Sequence, residues 1–176
     1  MYRLKFFKKE VKMVISIGNQ LPNSKLKWFG ETGIESINLD TFTRDKTVII
    51  FGLPGAFTST CHTQHVPSFI RTKPQFDLIG VDSIICISVN DPHVMRAWGE
   101  ATGATSAGLI MLGDPLSEFT RSIGMDFDAP DVGFIGRSKR YSMLVKNNQV
   151  VLFNEEESRS QCQTSSGEEL LDKMRK

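Results

Sequence analysis

Thr47-Val48-Ile49-Ile50-Phe51-Gly52-Leu53-Pro54-Gly55-Ala56-Phe57-Thr58-Ser59-Thr60-Cys61 passes from a continuous apolar run, through a Pro/Gly loop, into a polar stretch that ends on a cysteine. The run 47–51 is β-branched and apolar on both faces, as befits a central strand covered by helices on each side. A second run of the same kind follows at Ser83-Ile84-Ile85-Cys86-Ile87-Ser88-Val89. Cys61 sits one loop beyond the first strand, where a helix is expected to begin. Such strand-to-helix junctions, at strand carboxyl ends, are where layered sheets bind ligands.

Outward from this stretch, strand-like and helix-like segments alternate, the signature of an α/β architecture. In Asn90-Asp91-Pro92 and Gly113-Asp114-Pro115 an Asp is placed to cap, and a Pro fills the first helical position, where no amide donor is needed. Helices are expected over 93–102 and 116–123. Tyr141-Ser142-Met143-Leu144-Val145 and Val150-Val151-Leu152-Phe153 flank Asn147-Asn148, and Asn tolerates positive φ, so the pair reads as an antiparallel hairpin. Ser166 followed by Glu169 reads as a capping box opening a last helix through Met174. The order fits a mixed central β-sheet with a parallel centre and an antiparallel edge, flanked by helices: a thioredoxin-like fold with extra N-terminal strands.

The 176 residues suit one domain, and 21 Lys+Arg against 20 Asp+Glu give no global field that would draw nucleic acid or an anionic membrane. No apolar run approaches the ~20 residues that span a bilayer. Residues 1–12, with Arg3, Lys5, Lys8, Lys9 and Lys12, are assigned to a basic, disordered extension, and 13–176 to the folded domain. A targeting segment and a true start at Met13 are the competing readings of that extension. Three cysteines without a Cys-x-x-Cys pair argue against a disulfide scaffold and for a reducing compartment, so the expected location is cytoplasmic, with organellar import left open.

Cys61 is the residue with chemistry to offer. Unpaired amides at a helix amino end stabilise an anion and so favour the thiolate, the form that attacks peroxide. Thr58, three residues earlier, can bring a hydroxyl beside the sulfur, able both to accept from a peroxide O–H and to donate to the thiolate. Pro54 fixes the loop and removes a competing amide, and Gly55 permits a close backbone approach. Free cysteines are often small buried hydrophobes, but Thr58, Ser59, Thr60, His62, Thr63 and Gln64 make a polar setting that favours a reactive thiol. His62 and His65, without ligand-spaced cysteines, do not suggest a metal. His65 reads as a packing or hydrogen-bonding residue beside the site. Neither a cofactor nor a metal is expected.

Pro54-x-x-x-Thr58-x-x-Cys61 resembles the active-site signature of the peroxiredoxins, and the wider run from Phe51 to Thr58 is similar to their type II group, the subfamily of peroxiredoxin five. His65-Val66-Pro67-Ser68-Phe69, Cys86-Ile87-Ser88-Val89-Asn90-Asp91, Met95-Arg96-Ala97-Trp98 and Arg137-Ser138-Lys139-Arg140-Tyr141-Ser142-Met143 match in family order. The resemblance implies a thiol-dependent peroxidase acting on hydrogen peroxide and alkyl hydroperoxides, with Cys61 as the peroxidatic residue that becomes a sulfenic acid. It also implies that Arg140 is the active-site arginine, which favours the thiolate and stabilises charge spreading over the two oxygens. By spacing alone Arg140 is a charge in a basic loop, and Arg137 is its rival. Recycling by glutathione/glutaredoxin or thioredoxin, and a homodimer, are further implications. Cys162, in a polar stretch before the last helix, is the first candidate for a resolving thiol. Cys86, in an apolar strand, is the second. A thiol-disulfide oxidoreductase is the alternative enzyme, disfavoured because Thr58 stands where the first thiol of Cys-x-x-Cys would be. A redox sensor is the alternative without turnover.

Overall fold

The computed structural model describes residues 14–176, so the basic extension assigned to 1–12 lies outside the described residues. β3 (Thr47–Leu53), β4 (Ser83–Ser88) and β5 (Ile110–Gly113) run parallel at the centre of the sheet. Because side chains alternate along a strand, Ile49, Phe51, Leu53, Ile84 and Cys86 enter one core, while Val48, Ile50, Ile85 and Ile87 enter the other. Both faces are apolar for that reason, and both are covered.

On one edge, β8 (Tyr141–Lys146) pairs antiparallel with β3 and turns into β9 (Gln149–Glu155). Asn147 and Asn148 both take positive φ, 45° and 65°, at the two-residue turn the hairpin requires. On the other edge, the hairpin of β1 (Lys25–Gly30) and β2 (Gly33–Asn38) joins β5 antiparallel. The strand order is β2-β1-β5-β4-β3-β8-β9. This is the mixed sheet expected from the element order, with β1 and β2 as the extra N-terminal strands.

α1 (Leu39–Thr43) and α4 (Glu118–Ser122) cover one face through Leu39 and Phe119. α2 (Val66–Leu78), α3 (Pro92–Thr102) and α5 (Gly167–Met174) cover the other through Phe69, Phe76, Trp98 and Leu170. Fully burying an apolar side chain of this size contributes roughly 1.5–3 kcal/mol, so packing fixes these helices more than propensity does. Trp98 and Phe119 are core residues, whereas Phe57 is exposed. No described helix is long and apolar enough to cross a membrane.

Caps explain where the helices start. Asp91 accepts from the amides of His93 (2.9 Å) and Val94 (3.1 Å), and Pro92 opens α3 as expected. Ser166 accepts from the Glu169 amide (3.2 Å) at the start of α5. The helix expected over 116–123 is shorter. Ser117 takes φ +57°, and α4 begins at Glu118. Asp114 still serves it from outside, accepting from the Phe119 (3.4 Å) and Thr120 (2.8 Å) amides and from the Thr120 hydroxyl (2.7 Å). A separate ribbon, β6 (Asp126–Ala129) with β7 (Phe134–Ser138), was not expected; it leads the chain into β8.

Candidate active site

β3 delivers the chain to a loop that other elements hold from both sides. Arg137 Nη1 donates to the Pro54 carbonyl and to Asn90 Oδ1, each at 3.4 Å. Asn90 Oδ1 also accepts from the Ala56 amide (3.0 Å) and the Ser88 hydroxyl (2.7 Å). A Cβ on Gly55 would come within 2.8 Å of Arg137 Nη1, so only glycine allows this contact without displacing the arginine. Phe57 follows at φ +62°. Its ring lies over His62 (6.1 Å between centroids) and against Trp98 (6.4 Å), while Trp98 Nε1 donates to His62 Nδ1 (3.0 Å).

The helix begins two residues before Cys61. The His62 amide donates to the Thr58 carbonyl (2.9 Å), closing a first α turn that contains Cys61. The ladder then widens, the Val66 amide reaching the Cys61 carbonyl across a π turn over Cys61–His65. Turns of this kind recur at functional sites inside helices. Thr58 donates its hydroxyl hydrogen to the Gly55 carbonyl (2.9 Å). A hydroxyl has one hydrogen to give, so in this geometry Thr58 is an acceptor only. The dual accepting and donating role expected of it is corrected to that extent.

Cys61 is wholly buried and meets a buried arginine. Arg140, immediately before β8, places Nη2 3.4 Å from Cys61 Sγ and donates from the same nitrogen to the Arg159 carbonyl (2.8 Å). Arg140 Nη1 lies 3.2 Å from His65 Nδ1, and His65 Nε2 lies 3.0 Å from the Ser165 carbonyl. A carbonyl only accepts, so Nε2 bears the hydrogen and Nδ1 accepts from Arg140. A cavity of about 170 Å³, lined by Pro54, Thr58, Phe134, Arg140 and Arg159, opens beside this cluster.

Burial, reinforced by the Arg140 charge, pulls the His65 imidazole from 6.5 down to about 3. His65 therefore stays neutral in the folded chain while the unfolded chain protonates it below about pH 6.5. The stability this group supplies is complete above pH 6.5 and is lost progressively as pH falls from 6.5 toward 3. The slope is at most one proton, about 1.4 kcal/mol per pH unit. Urea unfolding at pH 6.5 and 5.0 should show wild type losing more stability than His65→Gln over that interval. Equal slopes would contradict the assignment of a neutral His65.

The Redoxin family model matches residues 16–171. Peroxiredoxin-2C of Oryza sativa subsp. japonica is 38% identical over 158 residues, covering 89% of this chain and 96% of that protein. The chain belongs to the type II peroxiredoxins. Among solved structures it is similar to reduced Prx3 of Vibrio vulnificus in complex with hydrogen peroxide (TM-score 0.86, 35% identity, 92% of this chain and 99% of that one). It is also similar to peroxiredoxin 5 of Alvinella pompejana (TM-score 0.79, 27% identity, 92% and 98%). As a peroxiredoxin it is a thiol peroxidase, an oxidoreductase with a peroxide as substrate and a thiol as reductant.

The other two cysteines of this peroxiredoxin occupy different settings. Cys86 lies in the middle of β4, fully buried on the same core face as Cys61. Burial first, then the nearby Cys61, raises its thiol well above the ordinary range. Cys162 is half-buried in the loop between β9 and α5, and burial pushes its thiol up to about 11. That loop is less free than a polar stretch suggests: the Thr60 hydroxyl donates to the Ser160 carbonyl (3.3 Å), and Ser165 receives His65. The resemblance gave no role to Arg137, Asn90, Arg159 or Glu156. Asn90 stands within a quoted family match, but its hold on the Ala56 amide is tertiary and leaves no local signal.

Proposed function

We propose that Cys61 is the peroxidatic nucleophile and that Arg140 and Thr58 place the peroxide, with Pro54 shaping the cavity floor. One observation carries this: Arg140 Nη2 meets Cys61 Sγ at 3.4 Å beside a cavity that Pro54 and Thr58 line. The sulfur attacks the near peroxide oxygen and an S–O bond forms as the O–O bond breaks. The leaving oxygen takes a proton and departs as water or an alcohol. Sulfur is oxidised by two electrons to a sulfenic acid. Thr58, with its hydrogen given to Gly55, accepts from the peroxide O–H. Arg140 Nε, buried and without a hydrogen-bond partner among the described residues, is a further donor for a peroxide oxygen. A water takes about 30 Å³ in the liquid, so the cavity admits hydrogen peroxide with room for the short chain of an alkyl hydroperoxide beside Phe134.

Recycling needs a thiol that reaches the sulfenic acid. We propose Cys162 for this step, with glutathione/glutaredoxin or thioredoxin reducing the product and Cys86 remaining a core residue. Phe57, 56% exposed beside the site, supports a homodimer, and unpaired cysteines support a cytoplasmic location. The test has two parts. Hydrogen peroxide should be consumed over many equivalents with dithiothreitol, well above the rate of dithiothreitol alone, and consumption no faster than that background would overturn the reading. After stoichiometric peroxide without reductant, a non-reducing digest should contain Cys61 linked to Cys162. A Cys61–Cys86 linkage would overturn the burial argument, and sulfenic acid persisting beside free Cys162 would assign reduction to an external thiol acting directly on Cys61.

A further inference from the structure

Glu156 stands in the run Glu155-Glu156-Glu157. Its side chain is buried, with 6% of the residue exposed. Oε1 accepts from the Gln163 amide (2.7 Å), the Ser165 amide (2.7 Å) and the Ser165 hydroxyl (2.9 Å). The Glu156 amide itself donates to the Arg140 carbonyl (3.0 Å). An ionised carboxylate only accepts, and hydrogen bonds to it are among the stronger ones. One buried oxygen thus draws both ends of the segment 157–165 together, while the Glu156 backbone amide ties the start of the segment to the residue before β8.

The closed segment faces the site with its carbonyls. Arg159 O accepts from Arg140 Nη2 (2.8 Å), Ser165 O from His65 Nε2 (3.0 Å) and Ser160 O from Thr60 Oγ1 (3.3 Å). Cys162 lies within the same segment. Arg140 is therefore aimed at Cys61 partly by backbone that Glu156 holds, and Cys162 is restrained by that same hold.

We infer that Glu156 is a positioning residue: its carboxylate closes the 157–165 loop over the Cys61–Arg140 pair, and releasing it frees Cys162. This rests on Cys61 and Arg140 acting as proposed above. The two steps of the cycle then pull on the loop in opposite directions. Attack on peroxide needs it closed, because Arg140 needs its acceptor. Resolution needs it open: Cys162–SH meets Cys61–S–OH, the S–O bond breaks, an S–S bond forms, and oxygen leaves as water with the thiol proton. While the loop is closed, burial keeps Cys162 protonated and a weak attacker.

Opposite effects on two rates separate this from a general loss of structure. In a Cys162→Ser background, Glu156→Ala should slow the reaction of Cys61 with hydrogen peroxide roughly tenfold, the scale of losing a charge-assisted hydrogen bond at the loop closure. In a Cys61→Ser background, the same change should speed alkylation of Cys162 by iodoacetamide, also roughly tenfold, as exposure and thiolate fraction rise. Glu156→Gln, which keeps a carbonyl acceptor, should fall between wild type and Glu156→Ala in both assays, and it carries the test if the alanine variant does not fold. Unchanged rates, or both rates falling together, overturn the inference. Arg140→Ala run in the peroxide assay tells the two readings apart. If Arg140→Ala is slow while Glu156→Ala is normal, only the Glu156 role fails. If Arg140→Ala is normal, the proposed active site fails with it.

Discussion

Cys61→Ser should abolish peroxide turnover, lowering it by about 10⁴-fold or more, while far-UV circular dichroism and unfolding midpoint stay near wild type. Serine is nearly isosteric with cysteine, and the position it would occupy is fully buried in the same core cluster as Phe51 and Leu53 of β3. The protein should therefore tolerate it. The hydroxyl, unlike the thiol, gives almost no anion at neutral pH and is a poor nucleophile toward a peroxide oxygen. Cys86, although it shares the core face, is fully buried in β4 and cannot substitute. Residual turnover above a few per cent would place the chemistry elsewhere.

Arg140→Ala should slow the peroxide step by about 10²–10³, the usual effect of removing one preorganised donor from a developing charge. The guanidinium serves three neighbours at once: Cys61 Sγ, His65 Nδ1 and the Arg159 carbonyl. Its fixed fork matters as much as its charge, so Arg140→Lys should recover only part of the rate. Arg137→Ala should be the milder change, because Arg137 reaches the Pro54 carbonyl and Asn90 rather than the sulfur. Stopped-flow measurement of the second-order reaction with hydrogen peroxide decides between them. A large loss in Arg137→Ala with a small one in Arg140→Ala would reverse the two roles.

What the sequence made legible was local. The β-branched runs of β3 and β4, the Asp91-Pro92 start of α3 and the Asn147-Asn148 turn each depend on neighbours along the chain, and each stands where it was expected. α4 was misplaced because Asp114 caps it from beyond the first turn while Ser117 bends the chain at positive φ. The β6–β7 ribbon has no apolar run to announce it. A contact from outside helps to hold it, the Ser117 hydroxyl donating to the Gly136 carbonyl (2.6 Å), beside contacts between its own strands such as the edge contact of Phe127 with Phe134.

The site divides in the same way. Pro54, Thr58 and Cys61 occupy one short stretch, and the roles proposed for them rest on residue types visible there. Arg140 is 79 residues from Cys61 and was found only through the family resemblance, since nothing in a basic loop tells which arginine the sheet turns inward. His65 reads from sequence as a packing or hydrogen-bonding residue beside the site, and it bonds Arg140 and the Ser165 carbonyl there. Glu156 gave no such signal: one glutamate among three looks ordinary until the fold buries it against the loop of Cys162.

The central claim is that Cys61 Sγ takes the peroxide oxygen. Reduced Cys162→Ser protein, given one equivalent of hydrogen peroxide and then dimedone, puts this to the test by mass spectrometry of the digested peptides. The expected result is near-stoichiometric dimedone adduct on Cys61, with Cys86 unmodified. Adduct on Cys86, or peroxide consumed while Cys61 remains a free thiol, would contradict the claim.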